Sequence, residues 1–351
     1  MNWATRSTVC GLVLTICATA GWAADTSKLV KKLQSSQVDE QIRATEQLAG
    51  MGPDAASAAD ALADALTAPY WHVRKGAAKA LAAIGPPAVP VIEKTLRTGD
   101  YWGRMYAAEA IGLMASQSQT DAPKIAEATE ELILALQSDL PEVRMWAAWA
   151  VGQIGPQAKE ATPVLIEIVR TDKSYSVRYA IRALGRIGAE KSVGVLVDQL
   201  DGPYKAAAVQ ALGEMGPTTC QALLDKWDNA KNNRVAWGLI ETLGEIGPTA
   251  APAVPKLIEE LKSPTDQWFA ALTARVLGQI GPKAEPAVPE LVKMARSHSY
   301  PDARANAARG LGPIGVSSDR VRQTLQQLAE NDEKEKVRKA AREAVKKLDG
   351  E

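Results

Sequence analysis

The chain has 351 residues with 41 basic and 41 acidic side chains, two histidines, nine Trp and a single Phe. A formal charge of zero leaves no global basic field to recruit nucleic acid or an anionic membrane. Abundant Ala and few β-branched runs favour helix. A chain this long ordinarily divides into two or three domains, unless its core grows by stacking repeats.

The first residues read as a secretory signal. Arg6 is the one charge in Met1 to Ser7, Val9 to Ala20 is apolar, and Gly21-Trp22-Ala23 offers small residues where a signal peptidase inspects. Cleavage is expected after Ala23, with an uncleaved anchor as the alternative. Removing Arg6 from the 41 basic residues leaves 40 against 41 acidic, a mature charge of −1. The apolar stretch is short for a span, so no integral membrane segment is expected after cleavage, and the mature protein is expected in the periplasm or outside the cell. Cys17 follows Ile16, where a lipidation signal carries a small residue. Cys10 and Cys17 leave with the signal. Cys220 then stands alone at an expected helix start with no His near it, a packing residue rather than a nucleophile.

From there a short phrase recurs: Met51-Gly52-Pro53, Ile84-Gly85-Pro86, Ile154-Gly155-Pro156, Met215-Gly216-Pro217, Ile246-Gly247-Pro248 and Ile280-Gly281-Pro282. Variants occur at Met114-Ala115, Ile187-Gly188, Ile314-Gly315 and Leu348-Asp349. Taking the second residue of each as an anchor, the intervals are 33, 30, 40, 33, 28, 31, 34, 34 and 34, a mean of 33. Physically the phrase is a helix stop, with Gly expected in the left-handed C′ conformation and Pro unable to continue the helix. Upstream lies an Ala-rich helix, clearest from Val143-Arg144 to Ile154 and matched by Val73-Arg74 to Ile84 and Val337-Arg338 to Leu348. Downstream a second helix opens on Pro90, Pro163, Pro255 or Pro289. Each unit is helix A, a turn, helix B and a Gly-Pro exit. The 40-residue interval holds one insertion, Ser116 to Lys124, expected as a polar loop, and the charged repeat over 316–349 is expected to cap the array.

Val-Arg, an Ala-rich run and Leu-Gly-x-Ile-Gly-Pro resemble the short HEAT repeat, in particular the phycobilisome-lyase HEAT-like variety. The resemblance covers residues 26 to 349 and implies an all-α protein, an α-solenoid (a right-handed superhelix) of about ten hairpins in one domain, 24–351. Departures are local: Arg234 precedes Val235, the helix near Phe269 lacks the Arg, the Ile42 unit is short, and Val177 to Ile187 is one residue short.

Catalytic chemistry finds little support. His72 and His298 are more than 200 residues apart, beside the turn aromatics Trp71 and Tyr300, and are expected at the surface rather than on a metal. HEAT-like deoxyhypusine hydroxylases hold iron through His-Glu pairs, and this sequence has none. Gly185 to Ser192 fails the phosphate-loop spacing and follows a helix. Glu130-Glu131 and Glu259-Glu260 are adjacent on helices and point apart. Nothing marks a chromophore site for a bilin lyase. No cofactor, metal or catalytic residue is expected, and the chain is read as a non-enzyme.

Two surface columns remain. Helix B, expected to line the concave side, carries residues six and two before each anchor: Lys79, Glu109, Trp149 with Gln153, Arg182 with Arg186, Gln210 with Glu214, Glu241 with Glu245, Arg275 with Gln279, Arg309, and Glu343 with Lys347. This stripe changes sign along the sequence. It is either a solvated face with neighbour-to-neighbour salt bridges or a dock for a protein segment anchored on Trp146 and Trp149. The A-to-B turns carry Tyr70-Trp71, Tyr101-Trp102, Tyr175, Tyr204, Trp268-Phe269 and Tyr300. These rings either cover neighbouring helix pairs or form an exposed row able to stack on sugars. The leading expectation is a monomeric scaffold binding protein partners on the helix-B face, with a carbohydrate-contacting envelope protein as the alternative. A mixed, centrally acidic stripe argues against nucleic acid.

Overall fold

The computed structural model describes residues 25–118, 120–230, 233–316 and 318–350, so the expected signal segment lies outside the described residues. Those residues form helices and turns without a strand. They fall into two compact units, divided between Ile187 and Gly188.

The first unit contains α1 (25–33), α2 (Val38–Met51), α3 (Ala59–Ala65), α4 (Trp71–Ile84), α5 (Val89–Thr98), α6 (Tyr101–Gln117), α7 (Ala122–Ile125), α8 (Thr129–Leu136), α9 (Pro141–Ile154), α10 (Thr162–Thr171) and α11 (Ser176–Ile187). The second contains α12 (Val193–Asp198), α13 (Lys205–Glu214), α14 (Cys220–Asp228), α15 (Asn233–Ile246), α16 (Val254–Lys262), α17 (Gln267–Ile280), α18 (Val288–Ser297), α19 (Pro301–Ile314), α20 (Asp319–Asn331) and α21 (Glu335–Asp349). In the first unit the B helices α2, α4, α6, α9 and α11 pack each on the next, and A helices α3, α5, α8 and α10 do the same beside them. The second unit repeats this with B helices α13, α15, α17, α19 and α21. Each unit is a two-layer stack of hairpins, and the fold is an all-α solenoid.

Small residues set the B-layer spacing. Ala77, Ala78, Ala107, Ala108, Ala147, Ala148, Ala180 and Ala183 are buried to about the last atom, so neighbouring backbones come close. The Gly three before the anchor goes further. A Cβ on Gly152 would sit 3.1 Å from Cα of Ala183, and one on Gly278 would sit 2.6 Å from Cα of Gly310. Between the layers lie Leu62, Leu81, Ile92, Ile111, Leu132, Leu165 and Leu184, all fully buried.

The helix stop differs from its sequence expectation. Gly52, Gly85, Gly155 and Gly281 have φ of 59–80° but ψ of −132 to −151°, a region open essentially to glycine and distinct from the left-handed helical one. Gly315 and Gly350 alone among these caps are left-handed helical. The chain also does not stop. Pro sits at the start of a 3₁₀ segment, such as Gly155–Ala161, Gly247–Ala253 or Gly281–Ala287, which carries it straight into the next A helix. Pro90, Pro163, Pro255 and Pro289 then occupy the second position of α5, α10, α16 and α18, where no helical N–H is lost.

The insertion is corrected likewise. Ser116 and Gln117 complete the last turn of α6, and Ala122 to Lys124 begin α7, so five residues of 116–124 are helical rather than loop. Ser118 Oγ donates to Asp121 across what remains, at 2.8 Å.

The repeated arginine is a clamp between hairpins. Arg144 donates from one Nη to the Ser138 carbonyl at the end of the preceding A helix (2.7 Å) and from Nε to Asp172 on the next hairpin (2.9 Å), with its other Nη 2.8 Å from the same carboxylate. Arg304 repeats this with the His298 carbonyl and Asp332. Arg74 donates to the carbonyls of Ala68 and Pro69 and lies 4.0 Å over the Trp102 ring. Arg338, in the last hairpin, donates to the Asp332 carbonyl and to Glu335.

Candidate functional site

The first unit's B face is built from residues ten, six and two before each anchor, which the repeat register aligns on successive helices. α4 contributes Lys75, Lys79 and Ala83; α6 contributes Met105, Glu109 and Leu113; α9 contributes Met145, Trp149 and Gln153; α11 contributes Arg178, Arg182 and Arg186. Both lysines and all three arginines are exposed, while Leu113, Met145, Trp149 and Gln153 are half-buried and Met105 and Glu109 are buried. The face therefore has an apolar floor on α6 and α9 between two cationic rims.

Trp149 is held in that floor. Its indole lies over Gly112 of α6, where any Cβ would meet ring carbons at 2.2 Å, and Trp146 packs edge-on to it with centroids 5.3 Å apart. The two rings, expected as the aromatic anchor of a dock, form a half-buried pair. Glu109 is buried on the same face. Burial pushes its carboxyl up, against the pull of Lys75 and Lys79.

Arg178 belongs to the rim because of one missing residue. The clamp arginines Arg74, Arg144, Arg304 and Arg338 each stand eleven before their anchor, whereas Arg178 stands ten before Gly188. One position on a helix is a rotation of about 100°, which takes Arg178 off the interlayer seam and onto the open face. There it continues Arg182 and Arg186 at four-residue spacing, a row roughly 12 Å long. Among the described residues no carboxylate comes within 4.0 Å of any of the three.

The second unit's B face is different. Lys205 pairs with Glu241 at 3.1 Å, Gln210 donates to Glu214 at 2.8 Å, Gln279 covers Gly244, and Arg309 lies 3.9 Å from Glu343. Lys205, Gln210, Glu241 and Glu245 line a shallow groove of about 540 Å³. Glu214, Glu245 and Arg275 are exposed. Lys347 is exposed on the last helix.

The turn aromatics separate into two groups. Tyr70, Trp71, Trp102, Tyr175 and Trp268 are exposed, joined by Leu140. Phe269 is buried against Trp237, with centroids 5.5 Å apart, so it leaves the column, and Tyr101, Tyr204 and Tyr300 are half-buried. His298 is also half-buried: its Nδ1 accepts the Tyr300 N–H at 3.0 Å, and burial followed by Arg304 lowers its pKa. His72 is exposed under the Trp71 ring. Cys220 is buried and its thiol is pushed up by that burial. Glu131 pairs with Arg97, and Glu259 lies 3.9 Å from Lys256. Among the described residues no three His, Cys, Asp or Glu side chains gather as a metal would need, and no helix is long and apolar enough to cross a membrane.

Stacked hairpins with arginine clamps define the class, an α-solenoid of helical repeats. The HEAT-repeat model matches residues 26–112, 89–185, 129–206 and 254–346, and the chain belongs to the HEAT-repeat family. A search of curated proteins found no match. Among solved structures, a mutant of Kap121p is 13% identical with a TM-score of 0.63, over 96% of this chain and 42% of that one. Kap95p, described as binding RanGDP in nuclear import complex assembly, is 13% identical with a TM-score of 0.60, over 92% of this chain and 50% of that one. An engineered protein is 24% identical over 93% of this chain, with a TM-score of 0.45. The chain spans about half the length of the two natural proteins, and at these identities the likeness is one of fold.

Proposed function

We propose that the chain is a non-enzymatic scaffold of the cell exterior or periplasm that holds a partner protein on the B face of its first unit. The observation that carries this reading is the Arg178–Arg182–Arg186 row: three exposed guanidinium groups on one helix face, without carboxylate partners among the described residues. Like charges at four-residue spacing repel, by tenths of a kcal/mol per pair, so the row is tolerated rather than favoured by folding. An incoming carboxylate would relieve it through bidentate contacts. The partner chemistry follows from the floor: a segment with apolar or aromatic residues over Met145, Leu113 and the Trp146–Trp149 pair, and carboxylates reaching α11 at one end and Lys75 and Lys79 at the other. The second unit's B face, already stitched internally, offers less. The likeness to the phycobilisome-lyase variety of the repeat is one of sequence pattern.

Peptide-display selection against the purified chain tests the reading. Enrichment of peptides with an apolar centre and acidic flanks, lost in the Arg178→Glu/Arg182→Glu/Arg186→Glu variant, is expected. Selection that returns no acidic flanks, or that ignores the triple substitution, would remove the B face as the dock.

A further inference from the structure

We infer a second, independent binding site on the first unit: the edge formed by its A-to-B turns is a stacking platform for an extended neutral glycan. Trp71, Trp102, Leu140 and Tyr175 stand on four successive turns, and all are among the few large apolar side chains left exposed, at 52%, 39%, 41% and 47%. On a folded surface such residues ordinarily turn inward or gather into one patch. Here they are spread along the four turns, with Tyr70 beside Trp71 on the first, and the rings contact polar neighbours.

Trp102 is held by Arg74, whose guanidinium lies 4.0 Å from the ring centroid and is itself pinned to the carbonyls of Ala68 and Pro69. The Tyr101 ring packs on it as well, with centroids 4.5 Å apart, and the indole remains 39% exposed. Trp71 rests on the His72 ring at 3.7 Å. Tyr175 shares a side-chain hydrogen bond with Glu142. Glu142 also acts on Tyr101, whose hydroxyl is raised first by burial. The rings are thus pre-oriented before any ligand arrives, which lowers the ordering cost of binding.

The spacing and the intervening groups select the ligand. Packed helices lie about 8–10 Å apart, so the row runs roughly 24–30 Å over its three intervals, a length an oligosaccharide of several pyranose units covers. A sugar ring presents a flat C–H face to an aromatic plane and a belt of hydroxyls at its rim. Exposed Asp139 and the half-buried Glu142 stand between the rings on the fourth hairpin as acceptors, with exposed His72 and Lys173 beside the outer rings. A protein partner would instead call for a contiguous apolar patch with a central pocket. The carboxylates also disfavour an anionic chain. None of these residues lies on the B face, so this site stands or falls separately from the partner dock.

Titration of the folded chain with cellohexaose and chitohexaose, read by tryptophan fluorescence and calorimetry, tests the inference. Saturable quenching by at least one of them is expected, weakened about fivefold in Trp102→Ala, largely restored in Trp102→Phe, and untouched by the triple arginine reversal. Because Trp102→Ala also uncovers Arg74, Tyr175→Ala supplies a second variant with the same expected loss, and melting curves establish that both are folded. Absence of any fluorescence or heat change with either hexasaccharide would overturn the inference, as would binding that survives both alanine variants. Binding on this edge of an acidic peptide in place of either sugar would overturn it too.

Discussion

The Arg144–Asp172 clamp gives the most quantitative expectation. Asp172 is only 11% exposed, and burial alone would raise its pKa. Hydrogen bonds outweigh that: Ser176 Oγ donates at 2.5 Å, the Ser174 N–H at 2.8 Å, and Arg144 Nε at 2.9 Å. Together they bring the carboxyl down to about 2. Against an unfolded value of about 3.9, and at 1.36 kcal/mol per unit, the ionised group contributes about 2.5 kcal/mol. Replacing it also strands the Arg144 guanidinium, 15% exposed, so Asp172→Asn is expected to cost about 2–4 kcal/mol at pH 7. The sign with pH follows from a depressed folded-state pKa: the contribution is complete above the unfolded value and is lost as pH falls from about 4 towards about 2. Urea unfolding of wild type and variant from pH 7 to pH 3 measures the gap. Amide exchange on α9 and α11 assigns it to the first unit, since the two units need not unfold together. A gap under about 0.5 kcal/mol at pH 7, or one that does not shrink below pH 4, would refute the reasoning.

Glu109→Gln should raise the melting temperature at neutral pH, because burial holds the wild-type carboxyl above its usual range and penalises the charged form. The gain should close as pH falls through the carboxylate range, and a variant less stable at pH 7 would contradict it. Gly278→Ala should destabilise the second unit by about 1–3 kcal/mol, because the added methyl meets the Gly310 backbone. Gly194→Ala, with open space around an exposed helical position, should stabilise by about 0.5–1 kcal/mol, and differential scanning calorimetry on both separates close approach from helix propensity. The triple reversal at Arg178, Arg182 and Arg186 should leave the melting temperature nearly unchanged, since surface substitutions away from structural contacts stay within about 0.5 kcal/mol. A large fall would mean the row holds the fold together.

The repeat, its two helices and its closing glycine were legible because each rests on local chemistry: Ala for close packing, Gly for a positive φ, Pro for a first turn. The route after the glycine was not, since Ile-Gly-Pro fits both a left-handed cap and the 3₁₀ continuation seen at Gly155–Ala161, and only the neighbouring hairpin decides. The arginine of the Val-Arg pair was visible as a motif but not as a clamp, because Asp172 lies 28 residues from Arg144 and pairs through the fold. Its displacement in α11 was visible as a one-residue shortening, though its consequence for Arg178 needed the seam to be located. Among the aromatics, neighbouring Trp268 and Phe269 look alike in sequence, yet one is 53% exposed and the other 3%. Two adjacent positions on a helix face 100° apart, and nothing in the pair itself says which one faces the core.

The central claim is that a partner protein occupies the first unit's B face, and site-specific photocrosslinking in cells addresses it most directly. A benzophenone residue at Gln153, between the Trp pair and the arginine row, should give a discrete adduct to a protein whose crosslinked segment is acidic. That adduct should vanish when Arg178, Arg182 and Arg186 are reversed to Glu. The same probe at Glu167 on the A layer should give none. Adducts of equal yield from Glu167, or an adduct at Gln153 indifferent to the triple reversal, would contradict the account.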